Sequence, residues 1–595
     1  MNRPLPAPAD APPLRYWFAG LKLEADGTLL RGKTPLELPT EEAAVLRLLL
    51  MRAGEIVSPI ELKRAVWGEE HASGEVVAKC VASLRERLQP ADCIEGVYKR
   101  GYRISAAVET DDVQEAGAMP RLAIMPFGGG YGVADYLGSA IAEAAMAQLS
   151  GAEYAVVSVV ARESVFALAR RGMTPHEIGK ALEADLVLNG ELHATPERLR
   201  LRAEMVRVAD GAQLWIEDLT VERGRIMELE REVVNRVSSR IRCGGFSIAA
   251  VAAAEVPREA SAQRSEAHEL YLRAHHEWQS LERHRMQDAM GRLQRAIELD
   301  PSFIAARADL AHLCVTQAFY GFMLPTAAAG VVRRAAAQIP ELAGNSETLL
   351  PALGWIYFHV DRNLRAALDA FARSAHLPQD PRVTRVRTMF LLSRHRFDEA
   401  LETLRAAIQA DPFSPWLQAR LAWALHLAGE AEASVDQIRK TISQFTEHDG
   451  AHLYGAMILA YNGETARAVE LARALASRSA HDLATAAHAY ALACAGRKEE
   501  ARTLLERLQW LSRERFVMNT FDAATYVAMD DDDAALEELR IANENRCPWF
   551  FQTLGDPRLQ PLRGRPEFER MRSSLRAIEA DAENSEEPDW VERAG

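Results

Sequence analysis

Cysteine is scarce in this sequence and never paired. Only six cysteines occur, and no two of them have the CxxC spacing that zinc knuckles and dithiol redox sites use. Isolated cysteines are expected to be free thiols in a reducing compartment. The sequence therefore argues against a disulfide framework or a zinc-knuckle fold. The six residues are Cys80, Cys93, Cys243, Cys314, Cys494 and Cys547.

Long apolar runs are missing as well. The opening segment MNRPLPAPADAPP lacks the apolar core of a signal peptide, and the run from Ile248 to Ala254 is far shorter than the ~20 residues of a membrane helix. We therefore expect a cytoplasmic protein with no membrane contact. The formal net charge of -14 disfavours coating nucleic acid with the whole surface, so any DNA contact must be local.

The motifs of common catalytic sites are absent too, since the sequence has no GxSxG or HExxH, and no Walker lysine follows the glycines at 128–132. The glycine cluster at 128–132 precedes a predicted helix, where a phosphate would fit. It lacks the GxGxxG spacing, however, and is expected to be a flexible turn. His275 and His276 are adjacent but have no third residue at a metal-ligand spacing. We expect no enzyme, no cofactor and no metal, with a nucleotide-binding or enzymatic middle domain as a weaker alternative.

What is present is an ordinary globular composition, 48% hydrophobic and 26% charged, in a chain of 595 residues, enough for three or four domains. Residues 16–38 alternate around an Asp-Gly turn at 26–27, which predicts a small antiparallel sheet. Thr40 is a candidate cap for a first helix. Ser58 and Glu61 have the spacing of a capping box for a second helix.

A third helix is predicted over residues 75–88, with one apolar and one polar face. After Pro90, the segment CIEGVYKRGYRI predicts a hairpin with basic residues around Gly101. A sheet, three helices and a basic hairpin in this order are typical of a winged helix. The predicted core stripe is Val77, Val81, Leu84 and Leu88, the outward side chains are Lys79, Ala82, Ser83 and Glu86, and the flanks carry Arg85 and Arg87.

Residues 17–104 resemble the OmpR/PhoB-type winged-helix domain at the front of CadC-like and ToxR-like regulators. The matching motifs are LKRAVWG at 62–68, SLRERL at 83–88 and YKRGYRI at 98–104. Two departures separate this chain from those regulators: no receiver precedes the domain, and a polar, acidic stretch at 105–119 follows it instead of a membrane helix. The resemblance implies a DNA-binding domain, and the two departures argue against phosphorelay control and membrane sensing.

The next region alternates strands and helices. It is similar to the TolB-like N-terminal α/β domain in the motifs LAIMPF, ADLVLNGEL and GAQLW, and this resemblance implies a role in interaction or assembly. The predicted strands are RLAIMPF, YAVVSVV, ADLVLNGEL, LRLRAEMVRV and AQLWIEDL, and the predicted helices cover 136–150, 174–182 and 224–242.

From about Ser265 the sequence is helical and repeats with a period of about 34, the tetratricopeptide (TPR) period, in which a small residue lets two helices approach closely. We expect seven or eight helix pairs, an irregular stretch at 319–343, and a concave groove for a peptide or partner helix. The predicted turn residues are Asp361, His395, Gly429, Gly463, Gly496 and Met529, each followed five positions later by a small residue, Ala366, Ala400, Ser434, Ala468, Ala501 and Ala534.

These patterns predict a sequence-specific DNA-binding transcriptional regulator. A helix in the major groove reads base edges, and positive charge at its flanks and on the wing holds phosphates. Candidate base contacts are Lys79, Ser83 and Glu86. Candidate phosphate or minor-groove contacts are Arg85, Arg87, Lys99, Arg100 and Arg103. A surface salt bridge is the alternative interpretation of Glu86.

The expected partners are double-stranded DNA, a protein or peptide at the repeats, and a second copy on tandem half-sites, as the family resemblance implies. The alternative is a non-catalytic TPR scaffold whose winged helix binds protein. The expected fold is multidomain α+β: a winged helix-turn-helix, a small α/β (TolB-like) domain and an all-α TPR solenoid. The predicted boundaries are a disordered leader at 1–13, the winged helix at 14–106, a linker at 107–119, the α/β domain at 120–245, a linker at 246–264, the repeats at 265–580 and an acidic disordered tail at 581–595.

Overall fold

The first part of the chain is a five-stranded antiparallel sheet. A computed structural model of the chain describes residues 14–24, 27–31, 34–36, 38–53, 56–67, 74–89, 93–97, 100–106, 108–112, 119–129, 136–150, 157–243, 258–278, 282–337, 346–375, 381–479 and 481–584. The strands are β1 (Leu14–Phe18), β2 (Leu21–Leu23), β3 (Leu29–Arg31), β4 (Thr34–Leu36) and β7 (Val108–Asp112). Their order in the sheet, β4-β3-β2-β1-β7, confirms the predicted sheet and adds one strand, β7, to it.

Three helices and a hairpin complete this unit, as predicted. The buried side chains of the third helix pack with strand residues such as Tyr16 and Leu23 in one core. Strand β5 pairs antiparallel with β6, and Ile94 lies opposite Ile104 in this pair. Both isoleucines are buried. The elements are α1 (Thr40–Met51), α2 (Pro59–Trp67), α3 (Gly74–Leu88), β5 (Ile94–Val97) and β6 (Gly101–Ile104).

One of the two predicted helix caps in this unit is confirmed. Glu61 N donates to Ser58 Oγ at 3.2 Å and Ser58 N donates to Glu61 Oε2 at 2.9 Å, which is the reciprocal capping box. Helix α1 instead begins at Thr40 itself, with Pro39 before it and no side-chain cap. Thr40 was predicted to be the N-cap but is the first residue of the helix. Threonine is favourable at the N-cap and is also tolerated at the first helical position.

Three predicted boundaries need correction. Residues 108–112, expected to lie in the first linker, form β7 and pair with β1 along its whole length. Residues 258–264, expected to lie in the second linker, are the first part of a long helix, and residues 581–584 continue the last helix. Polar composition suggested linkers, but an edge strand and the exposed side of a helix have that composition too. The predicted leader at 1–13 and the tail at 585–595 lie outside the described residues.

The middle domain is a mixed sheet with helices on it. The path is β10-β8-β11-β12-β13, with β9 beside β11; β8, β10 and the start of β11 are parallel, and β11 to β13 are antiparallel. The strands are β8 (Arg121–Ile124), β9 (Gly128–Gly129), β10 (Ser158–Val159), β11 (Leu186–Ala194), β12 (Arg198–Arg207) and β13 (Gln213–Glu222). The helices are α4 (Leu137–Leu149), α5 (Arg162–Arg170), α6 (Pro175–Ala181) and α7 (Ile226–Cys243).

Most of this domain follows the prediction. The helix predicted over 174–182 is present as α6, and Thr174 and Glu177 form a capping box at its start. The strand expected from YAVVSVV is reduced to β10 within the described residues. Helix α5 was missed, because its nine residues are too few for a clear helical period in the sequence.

The described residues from 258 to 544 form eight antiparallel helix pairs, in agreement with the predicted seven or eight. The first helices of the later pairs, such as α18, are buried on almost every side, whereas second helices such as α19 bury a single stripe. The pairs are α8 (Arg258–Glu277) with α9 (Arg283–Leu299), α10 (Ile304–Phe319) with α11 (Pro325–Ala337), α12 (Leu350–His359) with α13 (Leu364–Arg373), α14 (Pro381–Ser393) with α15 (Phe397–Ala410), α16 (Pro415–Leu427) with α17 (Ala431–Gln444), α18 (Asp449–Tyr461) with α19 (Thr465–Arg478), α20 (Asp482–Cys494) with α21 (Lys498–Leu511), and α22 (Asn519–Ala528) with α23 (Asp532–Glu544).

The turns of the last six helix pairs, from α12–α13 to α22–α23, repeat every 33 or 34 residues. Each of these six turns has one residue at positive φ, and the residue five positions later is fully buried against the partner helix. The α10–α11 turn does not follow this pattern, since Thr326, five positions after Gly321, is exposed. The predicted register is right in the middle of the body and wrong by one at both ends. The turn residues are Arg362, His395, Gly429, Gly463, Gly496 and Asp530, and the buried residues are Ala367, Ala400, Ser434, Ala468, Ala501 and Ala535.

The predicted irregular stretch at 319–343 is partly wrong, because α11 is a regular helix that packs on α10. Residues 338–345 lie outside the described part. In the whole described part, no helix combines the length and the apolar character required to cross a bilayer.

The chain's own C-terminal segment fills the inner surface of the repeats. Trp549 is buried and donates from Nε1 to the carbonyl of Phe319 at 2.8 Å, and His395 Nε2 donates to the carbonyl of Phe551 at 2.7 Å. The groove expected to be open for a partner is therefore occupied by residues 547–562. This segment contains α24 (Phe550–Leu554) and a 3-10 turn (Pro557–Leu562), and α25 (Pro566–Asn584) follows it.

The corrected register can be tested at two neighbouring alanines. Ala535→Leu should destabilise the repeat body by about 1–3 kcal/mol, because Ala535 has no exposed surface and a larger side chain would separate α22 from α23. Ala534→Leu, one position earlier on a partly exposed site, should change stability by about 0.5 kcal/mol or less. Thermal unfolding of both variants checks this. An equal loss of stability at both positions, or a larger loss at 534, would support the register predicted from the sequence instead.

Candidate nucleic-acid interface

Helix α3 has one face in the core and one in solvent. The predicted core stripe is confirmed, since Val77, Val81, Leu84 and Leu88 are all at most 1% exposed. On the opposite face, Lys79, Ala82 and Glu86 are exposed and Ser83 is partly exposed. The outer face thus offers an ammonium and a hydroxyl as donors and a carboxylate as an acceptor.

Two long-range contacts fix the end of α3. The last carbonyls of a helix have no partner within the helix and carry its negative end. Arg31, from β3, supplies that partner: its Nη2 donates to the carbonyls of Arg87, Leu88 and Gln89 at 3.2, 3.3 and 2.5 Å. Arg87 Nε also lies 2.9 Å from Oε2 of Glu42, a nearly buried carboxylate on α1. Sequence reasoning missed Arg31, because nothing local to the β3 sequence points to a helix more than fifty residues away.

The β5–β6 hairpin is joined to the segment before α2 by a backbone bridge. Val57 N donates to the Tyr102 carbonyl at 2.9 Å and Tyr102 N donates to the Val57 carbonyl at 3.0 Å. Gly101 makes this approach possible: it has φ 143°, and a Cβ there would lie 2.1 Å from the carbonyl oxygen of Val57. A side chain at 101 is therefore incompatible with the bridge.

The predicted cations of the hairpin have different environments. Arg103 donates from Nε and Nη2 to Glu95 Oε2 across the hairpin, at 3.0 and 2.8 Å. Arg85 Nε donates to the carbonyl of Ile94 at 3.0 Å and so holds the hairpin against α3. Arg100 is exposed at the turn, where its backbone N–H donates to the Val97 carbonyl. Lys99 lies outside the described residues. Helix α3 and Arg100 thus belong to the same folded unit. Arg85, Arg87 and Arg103 also lie in this unit, and each of them contacts another residue of it.

Two titratable groups on helices α2 and α3 have shifted pKa values. The pKa of Glu61 is lowered, chiefly by the Ser58 backbone N–H and hydroxyl that donate to it. Burial, helped by the charges of Glu42 and Glu41, raises the pKa of Cys80 to about 11, so its thiol stays protonated and is a poor nucleophile at neutral pH.

The other candidate sites have structural contacts of their own. Gly128 and Gly129 form β9, and the rest of the predicted glycine turn, 130–135, lies outside the described part. His275 bonds to Asp309 and Glu143. No group of three His, Cys, Asp or Glu residues able to hold a metal ion occurs within the ranges that the structure covers.

The fold and this surface define a class: a winged-helix head followed by an α/β domain and a body of TPR-like helix pairs. Residues 33–104 match the family model described as "Transcriptional regulatory protein, C terminal". The chain therefore contains an OmpR/PhoB-type winged-helix DNA-binding domain.

Several known proteins are similar to larger parts of the chain. Transcriptional regulator HilA of Salmonella typhimurium is 24% identical over 579 residues, which cover 92% of this chain and 98% of HilA. Putative adenylate cyclase 3 of Rhizobium meliloti is 27% identical over 204 residues, 33% of each chain. Among solved structures, a tetratricopeptide repeat protein from Parabacteroides merdae covers 52% of this chain and 99% of its own, at 11% identity and a TM-score of 0.24.

The bridge between the hairpin and the segment before α2 gives a second prediction. Gly101→Ala should break the bridge and expose its two donors, so that the backbone amides of Val57 and Tyr102 exchange hydrogen at least about tenfold faster, corresponding to a loss of about 1.4 kcal/mol. Gly20→Ala is the matched control, because Gly20 also has positive φ (77°) but open space around its Cβ. Hydrogen exchange measured by mass spectrometry checks both variants. Unchanged exchange in Gly101→Ala would contradict the close approach.

Proposed function

We propose that this chain is a sequence-specific DNA-binding transcriptional regulator, with α3 in the major groove and the β5–β6 hairpin on the backbone or in the minor groove. The observation that carries the proposal is the polar outer face of α3 beside an exposed arginine, Arg100, on a hairpin that Gly101 locks in place. A helix of this kind fits the major groove, and a fixed cation beside it meets phosphate. The family model and the similarity to the transcriptional regulator HilA support the same function.

Each polar side chain of α3 has a proposed task. Lys79 donates to guanine or to a phosphate, Ser83 contacts either base, and Glu86 accepts a hydrogen bond from cytosine. All three lie on the side of α3 opposite the core stripe. Together they supply the sequence preference.

The arginines and the wing lysine supply affinity. Arg100 is the main phosphate contact, with Lys99 beside it in the sequence. Arg85, Arg87 and Arg103 add contacts from guanidinium groups whose positions are fixed by Ile94, Glu42 and Glu95. A guanidinium group has five N–H donors, so a contact through one edge leaves donors for a phosphate.

The rest of the chain is proposed to receive a signal. We assign the middle domain to the TolB-like type and to assembly, and the repeats to a protein partner. Because residues 547–562 occupy the inner surface, this partner meets the outer helices of the pairs. Two copies pair on tandem half-sites, as winged-helix regulators of this type do.

The salt dependence of binding tests the role of the wing. In the full chain, Arg100→Ala should weaken DNA binding and reduce the slope of log K against log salt by about one, because one fewer counterion is released. Arg540→Ala is the matched control: Arg540 is an exposed arginine on α23 that is paired with Glu537 and Glu544, and its loss should leave the slope unchanged. Titrations at several salt concentrations with labelled duplex provide the measurement.

Two outcomes would count against the proposal. An unchanged slope removes Arg100 from the contacts. Absence of any salt-sensitive DNA binding by the intact protein rejects the regulator function as a whole, and capture of a protein by the winged helix that is insensitive to Arg100→Glu supports the scaffold alternative.

A further inference from the structure

Helix α8 belongs to two hydrophobic cores. Leu272 is buried in the core of the middle domain, and Tyr271 packs against the same core. Ala267 and Ala274, on other sides of the same helix, are buried in the core of the repeats. The α/β domain is therefore docked on the repeat body through a buried interface, and the predicted boundary at 264/265 does not separate two independent units.

A second contact joins the start of α5 to the turn between α15 and α16. Ser164 N donates to Asp411 Oδ1 at 2.9 Å, and the Ser164 hydroxyl donates to the same oxygen. Phe413 N donates back to Ser164 Oγ at 2.8 Å, and the Ser414 hydroxyl donates to Glu163. Each side thus supplies one carboxylate and one hydroxyl to the other.

The repeats contain an aspartate at the equivalent motif position, Asp300, whose bonds lie within the repeat body. Asp411 and Asp300 occupy the same place in the motifs IQADP and IELDP. Asp300 accepts from Ser302 N at 3.0 Å within its own turn and lies 3.6 Å from Arg264 of α8, so these contacts stay within the repeat body. Asp411 has lost that local bond and caps a helix of another domain instead. Its role is therefore specific to docking.

The two carboxylates of this contact cannot both be charged without cost. Asp411 is 8% exposed, and it faces Glu163 together with Arg162 and Ser164 on α5. Burial and then the charge of Glu163 raise the pKa of Asp411 to about 7, against the hydrogen bonds of Ser164 and the charge of Arg162. Arg162 also pairs with Glu143 at 2.6 Å. The positive charge of Arg162 is therefore shared between Glu143 and Asp411.

A histidine in the same interface shifts in the same direction. His275, on α8, lies between Asp309 of the repeats, at 2.8 Å, and Glu143 of the middle domain, at 3.3 Å. Burial alone would lower the pKa of His275, but the bonds and charges of Asp309 and Glu143 raise it to about 9. Arg382 also pairs with Asp309. Both His275 and Asp411 therefore hold a proton more tightly in the docked arrangement.

We propose that docking of the middle α/β domain onto the repeats is proton-linked, closing when Asp411 takes up a proton where it faces Glu163 and loosening as the pH rises. A pKa raised on docking means that the contribution is complete below the undocked value and is lost toward the docked value. For Asp411 this window of pKa runs from its ordinary 3.8 to about 7. His275 keeps Asp309 beside it in the repeats when the middle domain leaves, so only the contribution of Glu143 to its raised pKa is linked to docking. Both contributions fall with rising pH, so they add.

Hydrogen exchange of α5 in the full chain tests the proposal. After correction for intrinsic exchange, the protection of the first turn of α5 should fall about tenfold or more between pH 5.5 and 7, since one linked proton changes the equilibrium by up to about tenfold per pH unit. In Asp411→Asn the amide keeps an acceptor oxygen without the charge, so most of this pH dependence should disappear. Asp300→Asn should behave like the unaltered chain.

A second variant covers the case in which Asp411→Asn fails to fold. Glu163→Gln removes the facing charge, so the pH at which α5 loses half its protection should move down. The proposal is overturned if the unaltered chain shows no pH dependence, if Asp300→Asn loses it as Asp411→Asn does, or if Glu163→Gln leaves the midpoint where it was.

Discussion

The contact on which the head of this molecule depends is the backbone approach of Gly101 to Val57. It fixes the hairpin to the segment that leads into α2, while Arg85 ties the same hairpin to α3 and Arg31 holds the end of α3. Helix and hairpin thus have one geometry before any duplex is present. A surface that is already ordered loses little conformational entropy on binding, which favours affinity from a small number of charges.

The sequence predicts most of this unit because its signals are local. The stripe of Val77, Val81, Leu84 and Leu88 has the period of a helix, and the capping box of Ser58 and Glu61 lies within four residues. What could not be predicted is long-range: the role of Arg31, the pairing of Glu42 with Arg87, and the addition of β7 to the sheet. A residue type shows what it can donate or accept, but only the fold decides which carbonyl comes within reach.

The repeats show the same division between local and distant information. Their period follows from small side chains, which leave a trace in the sequence. The register at both ends does not, because Arg362 and Asp530 occupy the positive-φ turn positions that glycine marks at three of the four correctly predicted turns. The occupation of the inner surface by residues 547–562 could not be predicted either, because the segment around Trp549 has the same composition as any helical core. For the DNA-contacting residues, the structure adds their surroundings, and their roles remain predictions.

Filling the inner surface changes how a body of this kind meets a partner. Arg420 lies on that surface with no exposed area, bonded to Tyr454 and Gln552 and stacked near the rings of Phe319 and Trp549. Opening the groove would break this packing and leave the rings in water, so a partner gains little by entering there. The outer helices instead carry exposed ion pairs within one helix, such as Arg467 with Glu470 on α19, which contribute little to stability and are easily exchanged for a partner's charges. An adaptable outer face and a fixed interior fit the proposed role of the repeats in receiving a partner's signal, and the proposed proton-linked contact would let the α/β domain move relative to this rigid body.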